Sequence, residues 1–544
     1  MNKITPSFQA ISLRWWNVYF ILKIILILQN VIKLSLLYNL AFIVFILFPI
    51  RQQTLRIVRE VIAVVIGISL FYYDSYFPPF THLLNQASQL IHFDLAYIFE
   101  LFGRLISIDF LLLIAVICFT FYIVNKVLRV TTFVICTLLY IGLSGVTLQS
   151  SNSISGVQKT NTVSANTSPK LNNSEPSESV ELSKTGLNNY LQQFFKQEEA
   201  KTSKLNLLTK ADLNHANFDI LFISVCSLSW DDLELTGEIN HPLLSEFDIR
   251  FDNYNSATAY SGPALVRLLR ANCGQSQHSG LFEAPNNKQC LLFEQLNSLG
   301  FNSEIVLNHN GEFDDFTQEL KDNMPANVTQ PVPLKGLSPY IRGFDGSNIY
   351  RDIDVLSSWS KTAATGNSIT LYNSISAHDG NNIIKSKANG RLDKYHEREK
   401  NILDDVDQFF KQLTASKRNV VVVFVPEHGA AMRGDYMQIQ GMREIPTPAI
   451  THIPVGIKLF GEGLKLTSSP LIVNDNVSHL ALSDVLANII TSGIYSGNTV
   501  STANLVDGVD QVQAVSQNSG ATMMKVEDKS FLSLNKGDWI EYAE

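Results

Sequence analysis

Apolar residues crowd the first 148 positions of this chain, and no other feature limits its architecture as much. Such stretches escape water only by meeting lipid or one another. Five of them stand out: Val18–Ile32, Leu34–Ile50, Val61–Tyr76, Ile106–Asn125 and Val130–Leu148. A helix that crosses a bilayer needs about 20 mainly apolar residues, within a range of roughly 17–25. Residues 1–148 are therefore expected to form an anchor of about five transmembrane helices. The first segment is the weakest of them. Lys23 interrupts it, and Trp15 and Trp16 before it suit an interfacial position instead.

Lys and Arg mark the cytoplasmic side of a membrane protein. Lys3, Arg14, Arg51, Arg56, Arg59, Lys126 and Arg129 agree on one side, and Lys33 dissents. The stretch from Asp74 to Arg104 and everything after Leu148 are then expected outside. The first segment lacks a small-residue cleavage site, so it reads as an anchor rather than a removed signal. In a bacterium this means the inner membrane, with the larger part of the chain in the periplasm.

The whole chain has 544 residues, 46% hydrophobic and 17% charged, with a formal net charge of -8. It carries no Lys/Arg-rich run, so a nucleic-acid partner is not expected. Residues 149–205 are rich in Ser, Asn and Thr and read as a solvated linker, with a short helix at Leu187–Gln197. Residues 206–510 alternate strand and helix patterns. The expected strands are Phe218–Val225, Asn302–Leu307, Ser368–Ser374, Val420–Val425 and Pro454–Leu459. Helical periodicity covers Gly262–Arg270, Leu291–Leu299 and His396–Leu413. Alternation of this kind predicts an α/β domain around a mainly parallel sheet. Residues 511–544 lose the pattern and read as an appendage with one possible strand at Ala521–Val526.

Five cysteines fall in three places. Cys118 and Cys136 lie in apolar segments and are expected to pack there. Cys273 and Cys290 flank a polar loop in the exported part, where a disulfide persists. They are expected to pair; two buried thiols are the alternative. Cys226 is left over, at the end of the Phe218–Val225 strand. Glu427 and His428 end another strand, in Pro426-Glu427-His428-Gly429. Sulfur, carboxylate oxygen and imidazole nitrogen together suit zinc, and a catalytic zinc site keeps a fourth position open. Ser261, in Tyr260-Ser261-Gly262-Pro263, is the candidate for that position. It lies at a helix start, where free N–H groups bind phosphate-like anions. A plain N-cap is the commoner fate of a serine there, and these residues alone leave that reading open.

Taken together, the motifs resemble the cellulose phosphoethanolamine transferases, the BcsG family, within the alkaline phosphatase superfamily. The resemblance runs through the apolar N-terminal part, Ser224–Asp232, Tyr260–Pro263, Ala377–Asn381, Pro426–Gly429 and Gly441–Pro446. It implies an alkaline-phosphatase-like α/β domain behind the transmembrane helices. It also implies that Cys226, Glu427, His428 and Ser261 hold one zinc, with Ser261 as the nucleophile. His378 and Arg443 match further active-site positions, Tyr260 stands beside the nucleophile, and Cys273–Cys290 matches the family's disulfide. His396 is the rival histidine, but it opens a charged helix and reads as part of a solvated face. Cys226 and Glu427 depart from the Asp common in the wider superfamily, which puts a second metal in doubt.

The implied reaction moves phosphoethanolamine from phosphatidylethanolamine to the C6 hydroxyl of cellulose glucose through a seryl intermediate. The implied partners are the lipid donor, the glucan acceptor and a cellulose synthase complex contacted through the membrane region. Lipid A or another envelope glycan as acceptor, or a mainly structural role in that complex, are the alternatives.

Overall fold

A computed structural model describes the chain apart from residues 1–12, 14, 29–31, 51, 76–92, 96, 99–100, 102, 104–107, 125–129, 152–181, 214–216, 284–286, 363–366 and 544. Lys3, Arg14, Arg51, Lys126 and Arg129, most of the linker and most of the Asp74–Arg104 stretch lie outside the described residues. Two compact units emerge. One comprises residues 1–78 and 99–178, the other residues 79–98 and 179–544.

Each apolar segment in the first unit is helical: α1 (Trp16–Leu28), α2 (Leu36–Leu47), α3 (Gln53–Asp74), α4 (Ile108–Val124) and α5 (Val130–Ser151). Among the described residues, no helix is long and apolar enough to cross a membrane. Helices α1 and α2 have only 13 and 12 residues. Phe20, Phe42, Ile43, Ala63 and Leu138 form this unit's core. Lys23, which broke the first apolar run, is fully buried and pairs with Asp74 at 2.6 Å. Asn39 joins both, accepting from Lys23 Nζ and donating to Asp74 Oδ2, each at 2.7 Å. Val61, Val65 and Ile68 on α3 are exposed. Cys136 is exposed too, so it does not pack as expected.

The second unit is built on a seven-stranded sheet. Its strands are β1 (Asp219–Val225), β2 (Ile249–Asn255), β3 (Asn302–Leu307), β4 (Ser368–Ser374), β5 (Val420–Phe424), β6 (His452–Phe460) and β7 (Leu471–Val473). The spatial order is β7-β2-β6-β5-β1-β4-β3. Only β6 runs against its neighbours, so the sheet is mainly parallel. Strand β1 is central and every residue in it is buried, as a strand covered on both faces requires. Its alternate side chains feed two cores. Ile220 and Phe222 join the layer that includes Leu265, Leu296 and Val485, while Leu221 and Ile223 meet Trp359, Ile402 and Phe409 on the other face.

Three regions differ from expectation. Strand β2 has a half-polar pattern, Ile-Arg-Phe-Asp-Asn-Tyr-Asn, that carries little strand signal by itself. The helix expected from His396 begins earlier, at Arg391, and runs to Ser416. Arg398 and Glu399 within it are buried, whereas the His396 ring stays partly exposed and meets Glu238 at 2.8 Å. The tail is also more than an appendage. It forms a four-stranded antiparallel sheet of β8 (Val515–Gln517), β9 (Ala521–Val526), β10 (Lys529–Leu534) and β11 (Trp539–Tyr542). Helix α6 (Lys184–Glu199), at the end of the linker, buries Leu187, Phe194 and Phe195 against Val515, Met524 and Phe531 of that sheet. Each partner supplies the apolar surface that the other needs, across more than half the chain.

Candidate active site

The parallel pairing of β1 and β5 continues beyond both strands. Glu427 N–H donates to Val225 O at 2.9 Å, Leu228 N–H donates to His428 O at 2.7 Å, and Cys226 forms a parallel bridge with His428. This register aligns the strand ends and brings the thiol, carboxylate and imidazole together at the carboxyl edge of the sheet, where ligands bind in open α/β folds. One ligand atom from each of Cys226, Glu427 and His428 lies within 4.8 Å of the others. All three residues are buried.

Ser261 completes the group. Its Oγ is 3.3 Å from Cys226 Sγ and 3.3 Å from His428 Nε2. It is the first residue of α7 (Ser261–Leu269), and the N-cap is Tyr260. Ser261 is therefore not spent on capping, and its hydroxyl faces the cluster. Three non-glycine residues adopt left-handed backbone around it: Ser227 beside Cys226, Ala257 before the serine and Ala431 after the Glu-His pair. Each such residue costs on the order of 1–3 kcal/mol, and such strain gathers at functional sites.

The electrostatics suit a cation. Burial, followed by the Glu427 charge, pushes the Cys226 thiol up to about 12. Burial also raises the Glu427 carboxyl. His428 is held well below its usual range by burial and by Arg443. Its Nδ1–H donates to Gly429 O at 2.9 Å, which leaves the Nε2 lone pair aimed at Ser261 and Cys226. Glu427 Oε1 accepts from Asn373 Nδ2 at 2.5 Å, while its buried Oε2 has no hydrogen-bond partner. Asn373 is in turn oriented by His309, whose Nε2–H donates to Asn373 Oδ1 at 3.1 Å. Soft sulfur, a neutral imidazole and an orphaned carboxylate oxygen fit a divalent ion such as zinc. Among the described residues, no second group of this kind is present.

Arg443 borders the cluster, with Nη1 against the His428 ring at 3.0 Å from Nδ1 and 3.2 Å from Nε2, and the guanidinium over the Tyr260 ring at 5.5 Å. Tyr260 donates its hydroxyl to Glu444 at 2.7 Å. His378 lies within electrostatic reach of Arg443 but makes no hydrogen bond to the four residues of the cluster among the described residues. Its Nδ1–H donates to Asp379 O at 2.6 Å, leaving Nε2 to exchange protons. Burial, then Arg443, lowers its pKa to about 4, so the ring is neutral. Phe344 stacks on it, with ring centroids 4.4 Å apart. Cys273 and Cys290 are disulfide-bonded.

Besides Asn373 and His309, two more supporting residues lie outside the expected site. Asp232 Oδ2 accepts from Ala430 N–H at 2.7 Å and from the Ser229 hydroxyl at 2.8 Å, which pins the turn after His428. Gly429 has no space for a side chain because Ser229 and Asp232 fill it. Asn518 comes from the tail, and its amide joins the Thr258–Ala259 and Arg443–Glu444 segments. The quoted Ser224–Asp232 stretch contains Asp232, so a signal existed for it; Asn518 had none.

Comparison with known proteins supplies a context. The Cellulose biosynthesis protein BcsG N-terminal domain matches residues 16–143, and the corresponding C-terminal domain matches residues 171–539. The chain is 34% identical to Cellulose biosynthesis protein BcsG of Escherichia coli K12, over 98% of this chain and 97% of that one. It is 33% identical to the protein of the same description from Salmonella typhimurium, with the same coverage. Among solved structures, an alkaline phosphatase superfamily protein from Vibrio parahaemolyticus matches at 12% identity and TM-score 0.45, covering 65% of this chain and 87% of that one. The zinc complex of the periplasmic domain of EptC from Escherichia coli matches at 12% identity and TM-score 0.40, covering 56% and 91%.

Proposed function

Because the chain belongs to the cellulose biosynthesis protein BcsG family, we propose that it transfers phosphoethanolamine from phosphatidylethanolamine to the C6 hydroxyl of cellulose glucose. One observation carries the reading: the Ser261 hydroxyl stands 3.3 Å from two members of a buried Cys-Glu-His cluster. That is the geometry of a nucleophile sharing a mononuclear centre, within an alkaline-phosphatase-like domain. Zinc bound by Cys226, Glu427 and His428 would acidify the serine hydroxyl and neutralise charge on a phosphate.

In the first step Ser261 Oγ attacks phosphorus, the bond to the diacylglycerol oxygen breaks, and that oxygen leaves with a proton. In the second, the glucan hydroxyl takes the group and the serine regains its proton. Splitting the transfer into two steps is covalent catalysis and predicts ping-pong kinetics. Arg443 is positioned to hold phosphate oxygens with charge-assisted hydrogen bonds. Its packing over Tyr260 keeps the guanidinium from swinging away. His378 offers Nε2 for proton exchange with the acceptor or leaving oxygen.

The first unit is read as the inner-membrane part, with the second in the periplasm and the synthase complex as its partner. Exposed apolar side chains on α3 support lipid contact, which suits a lipid donor.

The test uses the full chain with head-group-labelled phosphatidylethanolamine and cello-oligosaccharide. Wild type should carry the label transiently on Ser261 and pass it to the glucan; Ser261→Ala should do neither. Glucan labelled by Ser261→Ala would refute the mechanism. Label that passes to lipid A and not to glucan would change the acceptor.

A further inference from the structure

Phe344, the ring stacked on His378, is only 7% exposed. It sits in the tight turn between the short strands Pro339–Arg342 and Asn348–Tyr350. A side chain at a turn tip is ordinarily wet. What covers this one comes from far away in the sequence. Residues 79–98, which lie between the third and fourth apolar segments, belong to the second unit. Phe93 packs on Phe344 at 5.6 Å, edge to face, and stacks on Phe313 at 5.9 Å. Tyr97 approaches Phe344 at 6.0 Å. The Asp94 N–H donates to Phe344 O at 3.1 Å, and Phe344 N–H donates to Asn381 Oδ1 at 3.0 Å. Tyr97 also lies against Gly380, close enough that a Cβ there would collide with its ring.

The aromatic contacts thus run from Phe93 and Tyr97 through Phe344 to His378, and the two ends of the segment His378–Asn381 are both gripped. Aromatic pairs of this kind are favourable beyond the area they bury. The residues matched by the N-terminal family domain include Phe93 and Tyr97, yet these side chains build the catalytic unit.

We propose that Phe93 and Tyr97 are positioning residues for the second step: they hold Phe344 on His378 and shut bulk water out of the acceptor side. This rests on the transferase reading above. In that step the bond from phosphorus to Ser261 Oγ breaks and a bond to the acceptor oxygen forms. The acceptor proton passes to His378 Nε2 and ends on the serine oxygen. Water competes for the same phosphorus, and a closed aromatic wall favours the sugar hydroxyl. Such a wall loses its value when His378 can tilt, because a misplacement of about 1 Å costs on the order of a hundredfold in rate.

The experiment measures, in the full-length protein, the ratio of free phosphoethanolamine to phosphoethanolamine on cello-oligosaccharide. The ratio cancels any loss of folded protein. Tyr97→Ala and Phe93→Ala should each raise it by about tenfold or more, and Tyr97→Phe, which keeps the ring, should restore the wild-type value. An unchanged ratio in both alanine variants would overturn the inference while leaving the transferase intact. A wild-type protein that labels no sugar hydroxyl would instead remove the transferase reading, and this inference with it.

Discussion

Asn518 Nδ2 donates a 2.7 Å hydrogen bond to the backbone carbonyl of Arg443. The same amide reaches Glu444 O at 3.0 Å, while its Oδ1 accepts from Thr258 Oγ1 at 3.0 Å and Ala259 N–H at 3.1 Å. One buried side chain from the tail therefore couples the segment leading into the nucleophile to the segment bearing the arginine.

Asn518→Ala should leave several buried polar groups without partners, each costing about 1–3 kcal/mol. Release of both segments should lower kcat by about tenfold or more, because Ser261 and Arg443 lose their common reference. Steady-state kinetics and a thermal melt on the full chain check this. Wild-type kcat in the variant would show that the two segments hold themselves.

Asn373 orients the Glu427 carboxylate from outside the cluster. Partners of this kind typically contribute about 10–100-fold in metal affinity. Asn373→Ala should therefore bind zinc about 10–100-fold more weakly, and Cys226→Ser should lose more, since it removes a ligand outright. Competition with a chromogenic chelator measures both. Zinc content of about one per chain in the wild type is expected of a mononuclear site. Removal of the metal should abolish transfer, and re-addition should restore it.

Glu399 is buried, with Oε2 lacking a hydrogen-bond partner. Burial is the main cause that lifts its pKa from 4.5 to about 8. The folded state thus holds the proton more tightly than the unfolded chain. That contribution to stability is present in full below pH 4.5 and is lost as pH rises through about 8. Glu399→Gln should match wild type near pH 4.5 and be more stable at pH 9, by a few kcal/mol at most about 5. Apparent Tm measured against pH decides it. A variant that melts lower than wild type at pH 9 would contradict the assignment.

Lys23 and Asp74 are both fully buried among apolar helices. Removing one partner leaves a buried charge and typically costs about 3–5 kcal/mol, whereas replacing both with apolar residues is often neutral. Lys23→Met should therefore destabilise the full chain in detergent, and the double change Lys23→Met with Asp74→Leu should recover most of the loss. Asn39 bonds to both groups, so recovery will be incomplete unless Asn39 is also replaced.

Much of the fold was legible because its signals are local. The runs Asn302–Leu307 and Ser368–Ser374 are β3 and β4 residue for residue, marked by β-branched and aromatic residues: Ile305 and Val306 in one, Ile369, Thr370 and Tyr372 in the other. Strand β2 escaped notice because one of its faces is polar. In the tail, the expected strand Ala521–Val526 is β9 with the same bounds, but the other three strands escaped notice because their apolar side chains are sparse and several find their partners on α6, more than 300 positions earlier.

The chain's own order of residues determined the apolar N-terminal helices, the α/β alternation and the donor types at Cys226, Glu427, His428 and Ser261. The helices and the alternation follow from composition and periodicity, which need no partner to be read, whereas Ser261 joined the other three donors only through the motifs' resemblance to a family. Tertiary structure alone decided that the register of β1 against β5 brings those donors within 4.8 Å, and that Ser261 starts its helix instead of capping it. It also decided that Asn518 ties the Thr258–Ala259 segment to Arg443 and Glu444, and that Phe93 and Tyr97 pack on Phe344. Each of these acts through contacts with residues distant in sequence, and such contacts exist only once packing has brought the segments together.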